Sequence, residues 1–297
     1  MMLLDTFLTA RRADGLRERT LDDYHRVLSR AMFTLDINAP ATWTRASVRA
    51  YVAGLRAQPW APATVALHIR YLRAFWGWCH REGYTTEDFS AIIPAPARTI
   101  REDVLLTTDE FAALVRACAG DRWALRDRAV ILTLVDTGLR RSEFCALQRD
   151  WLIYEDGGAS LLLPGSVSKT ARERFVFLGR ATTTAITGYL ETRNGDDQPA
   201  LFISERGPLG GDGVYYLLRR RAEQAGLDPA RVHPHLLRKQ FASWWIENGG
   251  DEQRLMEIAG WSGPEMLRIY VRLGARQKLQ DAHRQFGPVD RIIEEQS

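Results

Sequence analysis

The sequence predicts a mainly α protein with one small β element, on three observations. Apolar residues recur at three-to-four spacing through most of the chain, the signature of helices with one buried stripe. Two short runs, residues 160–163 and 173–178, depart from that period and read as paired strands. A stretch with prolines at 94 and 96 interrupts the helical pattern between the first third and the rest.

Taken in order, Leu21, Tyr24, Leu28 and Met32 mark a helix behind Thr20 as its N-cap, and a second helix is expected at 45–55. A third follows Pro62, from 63 to about 81, and carries His68, Arg70, Arg73, His80 and Arg81 among Leu67, Ile69, Leu72, Phe75 and Trp76. These basic residues form either a solvated face or a stripe laid along a DNA groove with arginines on phosphates. The domain boundary is placed in the proline stretch, giving a helical domain over 1–92, a linker over 93–103, a second domain over 104–285 and a tail over 286–297. Thr107 and Glu110 open the second domain with the spacing of a capping box. A buried helix over 122–136 ends at Gly138, a natural left-handed cap. The strands 160–163 and 173–178 follow, joined by a turn containing Lys169. Helices are expected at 181–192, 213–225, 236–248, 252–259 and 264–271.

Composition sets limits on function. The 297 residues suit one large or two medium domains, and 45% apolar with 26% charged content excludes wholesale disorder. A net charge of only +3 means that a nucleic-acid surface must come from the placement of charge. Cys79, Cys118 and Cys145 are odd in number and lack zinc spacing, which favours reduced thiols in a cytoplasmic protein. No signal peptide is recognised, and no apolar run approaches the roughly 20 residues of a membrane span.

Some residues carry chemistry only in combination. Arg140, after Thr-Gly-Leu at a helix end, can fork onto two phosphate oxygens, and Arg238 can supply a second fork. His235 lies three positions before Arg238 and so on the same helical face. Two guanidinium groups on one phosphate would neutralise the charge of a pentacoordinate phosphorus. Lysine occurs only at 169, 239 and 278, whereas arginine is abundant. Lys169 is therefore either a solvated turn residue or a proton donor for a leaving oxygen, a role closed to arginine. Trp261 can donate its indole N–H to a phosphate oxygen, or pack as a core aromatic. The Tyr270 phenol becomes a nucleophile only where positive charge favours the phenolate; otherwise a tyrosine between Ile269 and Val271 is a packing residue. His233 and His235 lie two apart, but no ligand set at zinc spacing accompanies them, so no metal is expected.

Together, Arg140, Lys169, His235-x-x-Arg238, Trp261 and Tyr270 resemble the catalytic set of the tyrosine recombinases, or phage integrase family. The resemblance spans nearly the whole chain. It implies an N-terminal SAM-like core-binding domain and a C-terminal catalytic domain that clamp duplex DNA. Tyr270 would attack the scissile phosphate, leaving a 3′-phosphotyrosine and a free 5′-hydroxyl, with no metal or nucleotide cofactor. The implied assembly is a homotetramer on two DNA sites, alone or with a related recombinase. Two positions depart from the pattern: Lys239 stands where a histidine usually follows the second arginine, and Trp261 replaces the commoner histidine. The Trp244–Gly250 stretch looks like integrases of mobile elements, whereas the overall size looks like Xer recombinases. The alternatives are a type IB topoisomerase-like relaxing enzyme and a non-cutting DNA-binding protein of the same fold. The tail is either a segment packed on a neighbouring subunit or a frayed terminus.

Overall fold

The computed structural model describes residues 3–35, 39–94, 104–168, 172–193, 195–261 and 263. Lys169, Tyr270, residues 95–103 of the expected linker, the expected helix 264–271 and the tail 286–297 lie outside them. Contacts divide the chain into two compact units, Met1–Arg101 and Glu102–Ser297.

In the first unit the helices are α1 (Leu3–Ala13), α2 (Glu18–Leu35), α3 (Arg45–Ala57), α4 (Pro62–Arg81) and the short α5 (Phe89–Ile92). α2 starts earlier than the Thr20 cap implied. The Arg17 carbonyl accepts from Thr20 N at 2.8 Å and Leu21 N at 3.2 Å, so Thr20 already lies in the first turn. Thr44 caps α3 by accepting from Ser47 N, while Pro62 opens α4, where its missing N–H costs no helical bond. An aromatic core fixes the bundle: the Phe7 ring meets Tyr24, Phe75 and Trp78 edge-on at 5.1, 5.1 and 5.2 Å.

The second unit contains α6 (Thr108–Arg116), α7 (Ala124–Thr137), α8 (Arg141–Cys145), β1 (Leu152–Glu155), β2 (Gly158–Leu163), β3 (Arg174–Gly179) and α9 (Arg180–Glu191). A two-stranded ribbon, β4 (Ile203–Ser204) with β5 (Gly207–Pro208), precedes α10 (Gly211–Gln224), α11 (Pro234–Glu247) and α12 (Glu252–Ala259). The capping box at α6 forms as expected: Thr107 Oγ1 accepts from Glu110 N, and the Glu110 carboxylate from Thr107 N. α7 is buried over most of its surface, with Ala129, Val130, Ile131 and Leu134 fully buried, and packs against α9 and α11. The expected hairpin is the outer part of a three-stranded antiparallel sheet ordered β1-β2-β3, in which Leu161 pairs with Leu152 and Val176. β1 was not anticipated; the two-residue Asp156-Gly157 turn joins it to β2. Buried Asp127 is held by Arg126, Arg220 and Arg221, so its charge is compensated inside the core.

Candidate active site

Three stretches distant in sequence meet at one edge of the second unit: residues 138–143, the first turns of α11, and residues 258–261. Gly138 ends α7 with φ +57°, and the chain turns at once into α8, a helix of five residues. Arg140 occupies the N-cap of α8, where its own N–H donates to Glu143 Oε2 at 2.9 Å. That capping contact fixes the Arg140 backbone and sends its side chain across to α12. Arg140 Nη1 then reaches Glu143 Oε1 at 2.9 Å, and Nη2 reaches the Gly260 carbonyl at 2.6 Å. The guanidinium has five N–H donors, and these contacts use two.

Arg238 is buried on α11. Its Nη1 donates to the Gly138 carbonyl and its Nη2 to the Ala259 carbonyl at 2.8 Å. Both arginines are thus anchored on adjacent carbonyls, those of Ala259 and Gly260, immediately before Trp261. The Arg238 guanidinium carbon lies 5.5 Å from the Trp261 ring centroid, within cation–π range. Trp261 itself is largely buried and packs with Phe241, Leu255 and Ala259. His235 is exposed, one turn before Arg238 on the same helix. Neighbouring His233 caps α11 by accepting from Leu236 N at 3.0 Å through Nδ1, a structural role at odds with a metal pair. Of the six residues expected to carry catalysis, Arg140, Arg238 and Trp261 are therefore brought together around residues 259–261, and His235 lies one helical turn before Arg238; Lys169 and Tyr270 lie outside the described residues.

Sequence reasoning missed Arg174 and gave Glu143 no role. Glu143 is fully buried and accepts four hydrogen bonds, two from Arg140 and two from Arg174 at 2.8 and 3.3 Å. Burial pushes this carboxyl up. The Arg174 hydrogen bonds, the Arg140 backbone N–H and the two guanidinium charges outweigh it and hold the group below its ordinary range. With its lone pairs occupied, Glu143 has no capacity to move a proton. The Thr107–Glu110 type of spacing, repeated as Arg140–Glu143 at a helix start, was the available signal for it.

In the first unit, Arg70, Arg73 and Arg81 fall within one arc of α4, since steps of about 100° per residue place 81 almost above 70. Arg70 and Arg81 are exposed and Arg73 is half-buried. His68 does not join this stripe. It lies about 160° away around the helix, is buried, and its ring packs on Trp60 with centroids 4.7 Å apart. Burial first, then the nearby Arg30 and Arg26 charges, lower its pKa and favour the neutral ring, which suits packing rather than phosphate contact.

Residues 105–276 match the model of the phage integrase family, and residues 3–86 match the phage integrase N-terminal SAM-like domain. The chain belongs to the phage integrase family and is a tyrosine-type site-specific DNA recombinase. It is 31% identical to the tyrosine recombinase XerC of Alcanivorax borkumensis over 281 residues, 92% of this chain and 90% of that protein. It is 30% identical to the tyrosine recombinase XerD of Xanthomonas campestris pv. campestris over 298 residues, covering 92% and 88%. A lambda integrase dimer bound to a COC′ core site superposes with a TM-score of 0.71 at 22% identity, over 90% of this chain and 93% of that one. The Tn1549 transposon integrase in complex with circular intermediate DNA gives 0.70 at 18% identity, over 91% and 95%. At these identities the structural likeness speaks for the fold.

Proposed function

We propose that Tyr270 cleaves one strand of a DNA duplex while Arg140 and Arg238 hold the scissile phosphate. The observation that carries this reading is the anchoring of both guanidinium groups on the consecutive carbonyls of Ala259 and Gly260. Two preorganised cations aimed at one place favour the extra negative charge of a pentacoordinate phosphorus over the ground-state diester. The Tyr270 oxygen forms a bond to phosphorus, and the bond from phosphorus to the 5′-oxygen breaks. Lys169 supplies the proton that the leaving 5′-oxygen takes up. His235 accepts a proton from the phenol or hydrogen-bonds a non-bridging oxygen, and the Trp261 indole N–H is a further donor to the phosphate. The phosphotyrosine bond retains the energy of the broken linkage, so the 5′-hydroxyl of a second duplex reverses the step and exchanges strands without a nucleotide or metal cofactor.

Arg70, Arg73 and Arg81 contact the DNA backbone in this reading, and their contribution is sequence-independent and salt-sensitive. Strand exchange needs two duplexes, which fits a homotetramer on two sites, alone or with a related recombinase, acting in the cytoplasm.

The test is a nicked suicide duplex built from repeats in the DNA flanking the gene. The full chain should become covalently attached to it, and Tyr270→Phe should abolish the adduct while binding persists. A Tyr270→Phe variant that still forms the adduct removes Tyr270 from the reaction.

A further inference from the structure

Arg174 enters none of the steps above, yet its contacts join three parts of the site. It opens β3, five positions after Lys169 in the sequence, and only 11% of its side chain is exposed. Nη2 and Nη1 fork onto Glu143, the carboxylate that Arg140 also holds. Nη1 lies 3.4 Å from Ser168 Oγ, and Nε donates to the Ile258 carbonyl at 3.0 Å. Ser168 precedes Lys169, and Ile258 is two residues before Gly260, which receives Arg140. The fit around Gly260 is close: a Cβ built there would lie 3.1 Å from Arg174 Cζ and 3.3 Å from Arg140 Nη1.

The electrostatics give this arrangement a consequence. Arg140, Glu143 and Arg174 together carry one net positive charge. Without Arg174, the pair Arg140–Glu143 is neutral, and a buried carboxylate that has lost two of its four donors draws Arg140 more tightly onto itself. Arg140 would then offer less charge, and fewer free N–H groups, to a phosphate.

We propose that Arg174 is a positioning residue for strand cleavage: it compensates Glu143 so that the Arg140 guanidinium remains available to the scissile phosphate. This rests on the phosphate-binding role given to Arg140.

The experiment compares the unaltered full chain with Arg174→Gln on a nicked duplex whose site is obtained by covalent capture from random-sequence DNA. A second duplex carries a neutral methylphosphonate at the scissile position, which removes one of the charges that Arg140 must offset. Arg174→Gln should bind both duplexes as the unaltered chain does. Its adduct should form about 100-fold more slowly on the phosphodiester, with the loss shrinking to less than about tenfold on the methylphosphonate. Arg174→Lys, which keeps the charge but not the fork, should recover part of the rate. Where thermal unfolding shows Arg174→Gln to be unfolded, Arg174→Met fills the same space and is held to the same comparison. Equal losses on the two duplexes would mark Arg174 as structural and overturn the proposal, as would an undiminished rate. An unaltered chain that captures no DNA overturns the strand-transfer reading itself, and this inference with it.

Discussion

The Arg140 side chain donates to the carbonyl of Gly260 at 2.6 Å, and Gly260 adopts the left-handed conformation, φ +63°, that ends α12. Arg140, to which we assign the scissile phosphate, is therefore held by a backbone shape that glycine adopts readily. Gly260→Ala adds a Cβ against both Arg174 and Arg140 in a conformation that L residues rarely take. The expected cost is about 1–2 kcal/mol in denaturant unfolding. Adduct formation should fall further than stability alone explains, because the displaced groups are Arg140, proposed to hold the phosphate, and Arg174, proposed to position it.

Gly138 makes the same demand more severely. A Cβ at this position would lie 2.2 Å from Phe241 Cδ1, in a backbone with φ +57°. Gly138→Ala must therefore displace the Phe241 ring, which sits on the helix that also carries His235 and Arg238, and should cost about 2–4 kcal/mol. Gly157→Ala is the control: φ is +88° there too, but nothing lies within 4 Å of the added atom. Its loss should stay near 1 kcal/mol. Urea midpoints of the two variants measure the difference, and equal midpoints would remove the steric argument.

Glu143→Gln keeps the shape of the buried side chain and removes its charge. The amide nitrogen cannot accept the N–H bonds that one carboxylate oxygen now takes, and two guanidinium groups are left facing each other across it. Breaking such a buried network should destabilise the chain by about 3 kcal/mol. Calorimetry measures the loss of Tm. A variant as stable as the unaltered chain would mean that Glu143 contributes little beyond volume.

The Glu110–Arg231 pair at the start of α6 gives a pH-dependent contribution. Hydrogen bonds from Arg231, then from the Thr107 backbone, bring the Glu110 carboxyl down from 4.5 to about 2. Its folded pKa is lowered, so its contribution to stability is complete above about pH 4.5 and is lost as pH falls towards 2. Because the pair is partly solvated, the contribution should be only about 1 kcal/mol. The stability difference between the unaltered chain and Glu110→Gln should be constant from neutrality to pH 5 and shrink below it. A difference that grows on acidification would reverse the assignment.

Much of this architecture was legible because it is local. α12 runs over 252–259 as its period implies, α4 begins at Pro62, and the Thr107–Glu110 box forms. The β1–β2 hairpin was also local, since Asp-Gly between two apolar runs is a strong turn signal, yet it was overlooked. His68 departs from the basic stripe because helical geometry turns it about 160° away from Arg70, to the side that packs on Trp60. α8 is too short to show a period. Arg174 lay beyond sequence reasoning for a different reason. Its partner Glu143 is 31 residues away and Ile258 is 84, and its strand neighbours Phe175 and Phe177 are exposed, which blurs the alternation that would mark Arg174's face. Pairing of that kind is decided by tertiary packing.

Lys169 yields the sharpest test of the proposed acid. A lysine that protonates the leaving 5′-oxygen matters only while that oxygen is a poor leaving group. Lys169→Ala should therefore slow adduct formation by about 100-fold or more on ordinary DNA. Replacing the bridging 5′-oxygen by sulfur lets the strand depart as a thiolate, which needs no proton, and should bring the variant close to the unaltered rate. Binding should change little, because a single cation is lost from a chain with 40 lysines and arginines. Arg140→Ala provides the contrast: it removes charge stabilisation rather than a proton, so the sulfur substitution should leave most of its defect in place. If both variants respond alike to sulfur, Lys169 supplies charge and some other group supplies the proton.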